Sequence, residues 1–106
     1  MTTKYFTYIL YTAVFDKYYI RQTSDLILRM KMHNELSENS FTSKYRPWDL
    51  VYFQEVSSRS LTMKLEKYLK GRKKEYYQNL ITDFELQKYY SLAGIIGVNF
   101  QHVISL

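Results

Sequence analysis

Tyr5-Phe6-Thr7-Tyr8-Ile9-Leu10-Tyr11 and, after the break at Thr12–Lys17, Tyr18-Tyr19-Ile20-Arg21-Gln22 are the two stretches on which the fold turns. The first is β-branched and aromatic at nearly every position, as a strand buried on both faces requires. Alternation puts Phe6, Tyr8 and Leu10 on one face and Tyr5, Thr7, Ile9 and Tyr11 on the other. The second stretch reads as the returning strand of a hairpin. Outward from this pair, Thr23-Ser24-Asp25 supplies a helix start, with Thr23 or Ser24 as the cap and Asp25 at the positive end of the dipole. On that helix Leu26, Ile27, Met30 and Asn34 lie along one side. Arg29, His33 and Leu36 form a neighbouring row, so that Arg29 and His33 sit side by side.

The chain continues through Phe41–Trp48, expected to be an extended connection because of the Arg46-Pro47 step. Asp49–Val56 is the third strand. Ser57-Ser58-Arg59-Ser60 caps a second helix with an expected buried stripe of Leu61, Leu65, Tyr68 and Leu69. Glu66 falls at the flank of that stripe, next to Thr62 and Leu69. Gly71 interrupts the pattern, Arg72-Lys73-Lys74 adds cations, and a further helix is expected from about Glu75 to Tyr90. Residues 1–90 are expected to form one domain, with 91–106 a C-terminal tail of unassigned role.

The 106-residue chain has no cysteine, which removes thiol catalysis, thiolate metal sites and disulfides together. Neither a signal-peptide run nor a span-length apolar stretch is present, so a cytoplasmic protein without a membrane partner is the expectation. Fifteen Lys and Arg against ten Asp and Glu leave a charge of +5, carried with twelve Tyr, six Phe and one Trp. Cations hold phosphate and aromatic faces accept bases, so the composition suits a polyanionic partner. His-Glu-x-x-His, calcium-loop, phosphate-cradling Gly-rich and nucleophile-elbow patterns are all missing.

Order and spacing add more than any single residue. Thr7-Tyr8-Ile9-Leu10, then Tyr18-Tyr19-Ile20, then Thr23-Ser24-Asp25-Leu26 with Arg29, then His33-Asn34, resembles the GIY-YIG nuclease superfamily, and within it the small stand-alone excision-nuclease-subunit-like proteins. The segment Phe41–Tyr52 and the helix Ser60–Lys70 extend the resemblance, which covers about residues 4–80. It implies a small α/β (α+β) fold, a three-stranded antiparallel sheet flanked by helices. It also implies hydrolysis of DNA phosphodiesters with one divalent cation, Mg²⁺ or Mn²⁺. The first-motif tyrosine falls on Tyr8, the second on Tyr19, the helix arginine on Arg29 and the metal-binding glutamate on Glu66. His33 matches a commonly occupied position, and Asn34 follows it.

In the chemistry this implies, Tyr8 is the general base, Tyr19 orients the attacking water, and His33 can stand in as base. Arg29 clamps the scissile phosphate through two donors, and Glu66 holds the metal. Lys44, Arg46, Lys64, Lys67, Arg72, Lys73 and Lys74 are expected to hold flanking DNA backbone without reading sequence. Two positions depart from the family pattern: the first-motif Gly is Phe6, and the second-motif Gly is Arg21. Arg21 has four open roles: crowding the groove, pairing with Glu66, serving as an extra phosphate ligand, or pointing to solvent. The expected function is therefore a metal-dependent endonuclease acting on structured or damaged DNA. The alternatives are a DNA-binding module whose cleavage has lapsed through Arg21, and an interaction protein or dimer using the tail.

Overall fold

The computed structural model describes residues 4–36, 38 and 40–95, with side chains as far as Gln87. The chain divides into two compact units at the Arg72/Lys73 step. In the first, β1 (Tyr5–Thr12), β2 (Lys17–Thr23) and β3 (Asp49–Val56) form an antiparallel sheet in the order β2-β1-β3. Strand β1 is therefore central, as its two-sided hydrophobicity requires. Tyr8 pairs with Arg21 on one side and Phe53 on the other. The β1–β3 register slips after Ile9, where Ile9 faces Tyr52 but Leu10 faces Leu50. Val51 is thus the extra residue of a bulge. In the β1–β2 turn Asp16 takes a positive φ of 51°, and its carboxylate accepts from the Tyr11 hydroxyl at 2.8 Å.

Each face of β1 is tied to a helix. On one face Tyr8, Leu10 and Trp48 form a buried cluster, flanked by Tyr19, Leu26, Met30, Tyr45 and Leu50. Here α1 (Leu26–Lys31), capped by the Asp25 carboxylate, widens into a π-turn at Met32–Leu36. A π-turn bonds i to i+5 and commonly marks a functional site. It carries His33 into the interior, while Arg29 stays exposed. Arg46 donates to the carbonyls of Met32 (3.1 Å) and His33, groups that the widened turn would otherwise leave bare. On the other face α3 (Arg59–Lys70), capped by Ser58, packs Thr62 against Thr7. The Thr7 hydroxyl donates to the Thr62 carbonyl at 3.0 Å and also bonds its hydroxyl.

Four local expectations differ. The cap of α1 is Asp25, whose carboxylate accepts from the Leu28 N–H, rather than Thr23 or Ser24. Phe41–Lys44 is a short helix, α2, with a capping box between Ser40 and Ser43; four residues are too few to show a helical period. Ile27, Leu61 and Tyr68 are exposed, and the buried side of α3 is Thr62 and Leu69, with Leu65 and Glu66 half-buried. Counting only apolar residues rotated that face, because the contact to β1 is made by a threonine pair. Finally, in the second unit α4 (Lys74–Ile95) continues past Tyr90. The remainder of the tail, 96–106, and any dimer contact through it lie outside the described residues. No helix of the described residues is long and apolar enough to cross a membrane.

Asn34 is a structural clamp. Its amide donates to the Trp48 carbonyl (3.0 Å) and accepts from the Trp48 N–H (2.7 Å), joining the π-turn to the start of β3. Asn34→Ala strands both main-chain groups and is expected to cost about 2–3 kcal/mol, read as a lower urea midpoint with an unchanged slope.

Candidate active site

Tyr8 stands at the centre of the site and is 1% exposed. Its hydroxyl lies 2.7 Å from Nε2 of His33, and Nδ1 of His33 is 3.0 Å from Oγ1 of Thr42. A neutral imidazole has one N–H and one bare nitrogen. With Nδ1–H given to Thr42, Nε2 accepts the phenolic proton of Tyr8, and both buried groups are satisfied. Burial, followed by the positive charges of Arg29, Arg21 and Arg46, pushes His33 down to about 4, so the ring is neutral at pH 7. Burial also pushes the Tyr8 phenol well above its ordinary value. Arg29 and Arg21 oppose that rise, while Tyr19 and Glu66 add to it.

These electrostatic neighbours are the residues that the sequence picked out. Arg29 from α1, Tyr19 and Arg21 from β2, and Glu66 from α3 all act on Tyr8. The Tyr19 ring is packed by aromatics, parallel to Phe41 at 5.6 Å and edge-on to His33 at 5.5 Å. Glu66, with its side chain 13% exposed, approaches from α3, one turn beyond Thr62. Its Oε1 meets Lys70 at 2.9 Å and Arg21 at 3.8 Å. Arg21 therefore pairs with Glu66 rather than simply pointing to solvent, and its guanidinium also lies 6.0 Å from the centre of the Tyr19 ring.

Most of the cations expected to hold DNA backbone are exposed, and two of the arginines also have structural roles. Lys44, Lys64, Lys67, Lys73 and Lys74 are exposed. Arg46 and Arg72 have structural partners: Arg46 holds the π-turn carbonyls. Arg72 lies 4.3 Å over the Tyr68 ring and donates to the Tyr68 carbonyl. Two residues were missed from sequence. Thr42, which orients His33, lies in the segment expected to be an extended connection, where Ser40-x-x-Ser43 is the available helix signal. Arg59, taken only as part of a cap region, faces the same cleft as Arg29.

No three His, Cys, Asp or Glu side chains converge among the described residues. Glu66 is the carboxylate that acts on Tyr8. One carboxylate, completed by waters and substrate phosphate, is a normal way to hold Mg²⁺, and an oxygen donor suits Mn²⁺ equally. The donor set thus fits one hard divalent cation, which must compete with Lys70 and Arg21 for Glu66.

The family model of the GIY-YIG catalytic domain matches residues 4–79, a span that contains Tyr8, Tyr19, Arg29, His33 and Glu66. The chain belongs to the GIY-YIG family. GIY-YIG domains are typically nucleases and generally use divalent metals, and DNA is the substrate that membership suggests. Among solved structures the chain is similar to the solution NMR structure of the UPF0213 protein BH0048 from Bacillus halodurans. The two are 23% identical, with a TM-score of 0.47, over 74% of this chain and 83% of that one. No curated protein matches the sequence.

The buried His33 of this GIY-YIG domain makes stability depend on pH. Its folded value of about 4 lies below the ordinary 6.5, so the unfolded chain binds the extra proton between those values. The contribution is complete above about pH 6.5 and is lost as pH falls toward 4, roughly 3 kcal/mol in all. Urea unfolding of wild type and His33→Asn at both ends of this window is expected to show that part of the slope only in wild type.

Proposed function

We propose that the protein is a metal-dependent endonuclease that hydrolyses DNA phosphodiesters, with structured or damaged DNA as its substrate class. The carrying observation is the convergence on Tyr8 of Tyr19, Arg29, Glu66 and a hydrogen-bonded His33. A divalent cation held by Glu66 would stabilise charge on the phosphoryl oxygens and the leaving 3′-oxygen. Arg29 is exposed at the rim, where its fork can bind the same phosphate.

Tyr8 and His33 act as a pair. A phenol of raised pKa is a poor base by itself, but Tyr8 can take a proton from water while passing its own to Nε2 of His33, without becoming a free phenolate. The neutral state of His33 keeps Nε2 open for that proton, and Thr42 fixes the ring's orientation. Phosphate bound beside Arg29 and Arg21 offsets the positive charge that disfavours imidazolium. Because Tyr8 is 1% exposed, the side chains covering it must part for water to reach the phenol. Lys44, Lys64 and Lys67 are exposed cations available to flanking backbone.

Nicking in Mg²⁺ or Mn²⁺ is expected on a panel of branched, flapped and nicked DNAs, with a fall of about 10²–10³-fold in Glu66→Ala and Arg29→Ala while circular dichroism is unchanged. Cleavage that persists undiminished in chelator would sink the mechanism.

The Arg21–Glu66 pair specifically favours an alternative, a DNA-binding module on the same fold in which Arg21 holds the carboxylate that the metal needs. Wild type would then bind DNA with steep salt dependence and cut in no metal. Arg21→Gly separates the two: gain of cleavage from an inactive wild type identifies Arg21 as the block, whereas an active wild type that Arg21→Gly leaves unchanged or slows removes that alternative.

A further inference from the structure

A polar cleft of about 90 Å³ opens beside Arg29 and is lined by Tyr5, Gln22, Thr23, Ser24, Arg29 and Arg59. We propose that this cleft is a second phosphate subsite, in which Arg59 receives a phosphate of the DNA strand next to the scissile one that Arg29 binds. No carboxylate lines the cleft. Neither guanidinium forms a hydrogen bond or ion pair with a described residue, unlike Arg21, Arg46 and Arg72.

Two like charges facing one small cleft repel each other, and an anion between them removes that cost. Their planar forks suit tetrahedral oxyanions, and the other lining residues include Tyr5, Ser24 and Gln22, whose side chains carry neutral donors. Arg29 is also the strongest charged influence on both Tyr8 and His33, so the cleft adjoins the catalytic pair. One strand carries a charge every ~3.4 Å of helix axis, so a strand whose scissile phosphate lies at Arg29 presents further phosphates beside it, and Arg59 lines the cleft that Arg29 shares. The chemistry is that of a phosphate, either an internal diester or a terminal monoester.

The subsite rests on the DNA-binding part of the proposed function, and its test avoids cleavage. Binding of short duplexes ending in a 5′-phosphate or a 5′-hydroxyl is measured by fluorescence anisotropy in chelator across a salt series. Wild type, Arg59→Ala and Arg59→Lys are compared, with thermal melts to verify folding. Arg59→Ala is expected to weaken binding about ten-fold and to reduce the slope of log K against log salt by about 0.9. Arg59→Lys should keep the slope and lose part of the affinity. A loss on both duplexes assigns an internal phosphate; a loss confined to the 5′-phosphate duplex assigns a terminal one. Unchanged affinity and slope on both duplexes in folded Arg59→Ala overturns the subsite. If the Arg59 effect holds but wild type never nicks DNA in any metal, the nuclease falls and the subsite stands.

Discussion

The structure depends on β1 being buried on both faces while consecutive residues of it make polar bonds in opposite directions. Thr7 reaches one way to Thr62 of α3, and Tyr8 reaches the other way to His33 of the π-turn. Buried polar groups must be paired, so each bond fixes a helix against the strand more narrowly than apolar contact would. The Thr7–Thr62 contact sets α3, and Glu66 lies one turn along it. The Tyr8–His33 contact sets the end of the α1 segment, with Arg29 one turn before it. Two adjacent residues of one strand thus position the carboxylate and the guanidinium of the site.

Charge is distributed around that strand in a consistent way. The interior holds a neutral pair, a phenol raised and an imidazole lowered chiefly by burial. The rim holds cations: Arg29 and Arg59 at the polar cleft, and Arg21 and Lys70 on Glu66. A polyanion entering this rim would offset the arginine charges that add to burial in keeping His33 neutral. Binding and proton acceptance are then coupled through the same side chains, since each phosphate bound at the rim makes imidazolium easier to form.

Arg21 shows how one side chain can change the work of a familiar motif. A glycine at that strand position would leave Glu66 with Lys70 as its cationic partner. Arginine adds a guanidinium at 3.8 Å from the carboxylate, with its side chain still 52% exposed. A pair this long, with its guanidinium half in solvent, is weak, so it would compete with a metal at Glu66 without excluding one, and a phosphate would draw the same guanidinium away.

Strands, their faces and the main helices were legible in the residues, because periodicity and β-branched content follow directly from local sterics. Asp49–Val56 and the central place of β1 follow from such patterns, and the order of Tyr8, Tyr19, Arg29, His33 and Glu66 carried the family resemblance. What local pattern could not supply was rotation and partnership. The π-turn that turns His33 inward leaves no periodic mark and is held by Arg46, a residue distant in sequence that looked like a DNA contact. The buried side of α3 is set by a threonine pair rather than its leucines, and Thr42 orients the imidazole from a helix too short to read. The pairing of Arg21 with Glu66 and the sharing of one cleft by Arg29 and Arg59 depend on through-space distance between separate elements, which only the folded chain fixes.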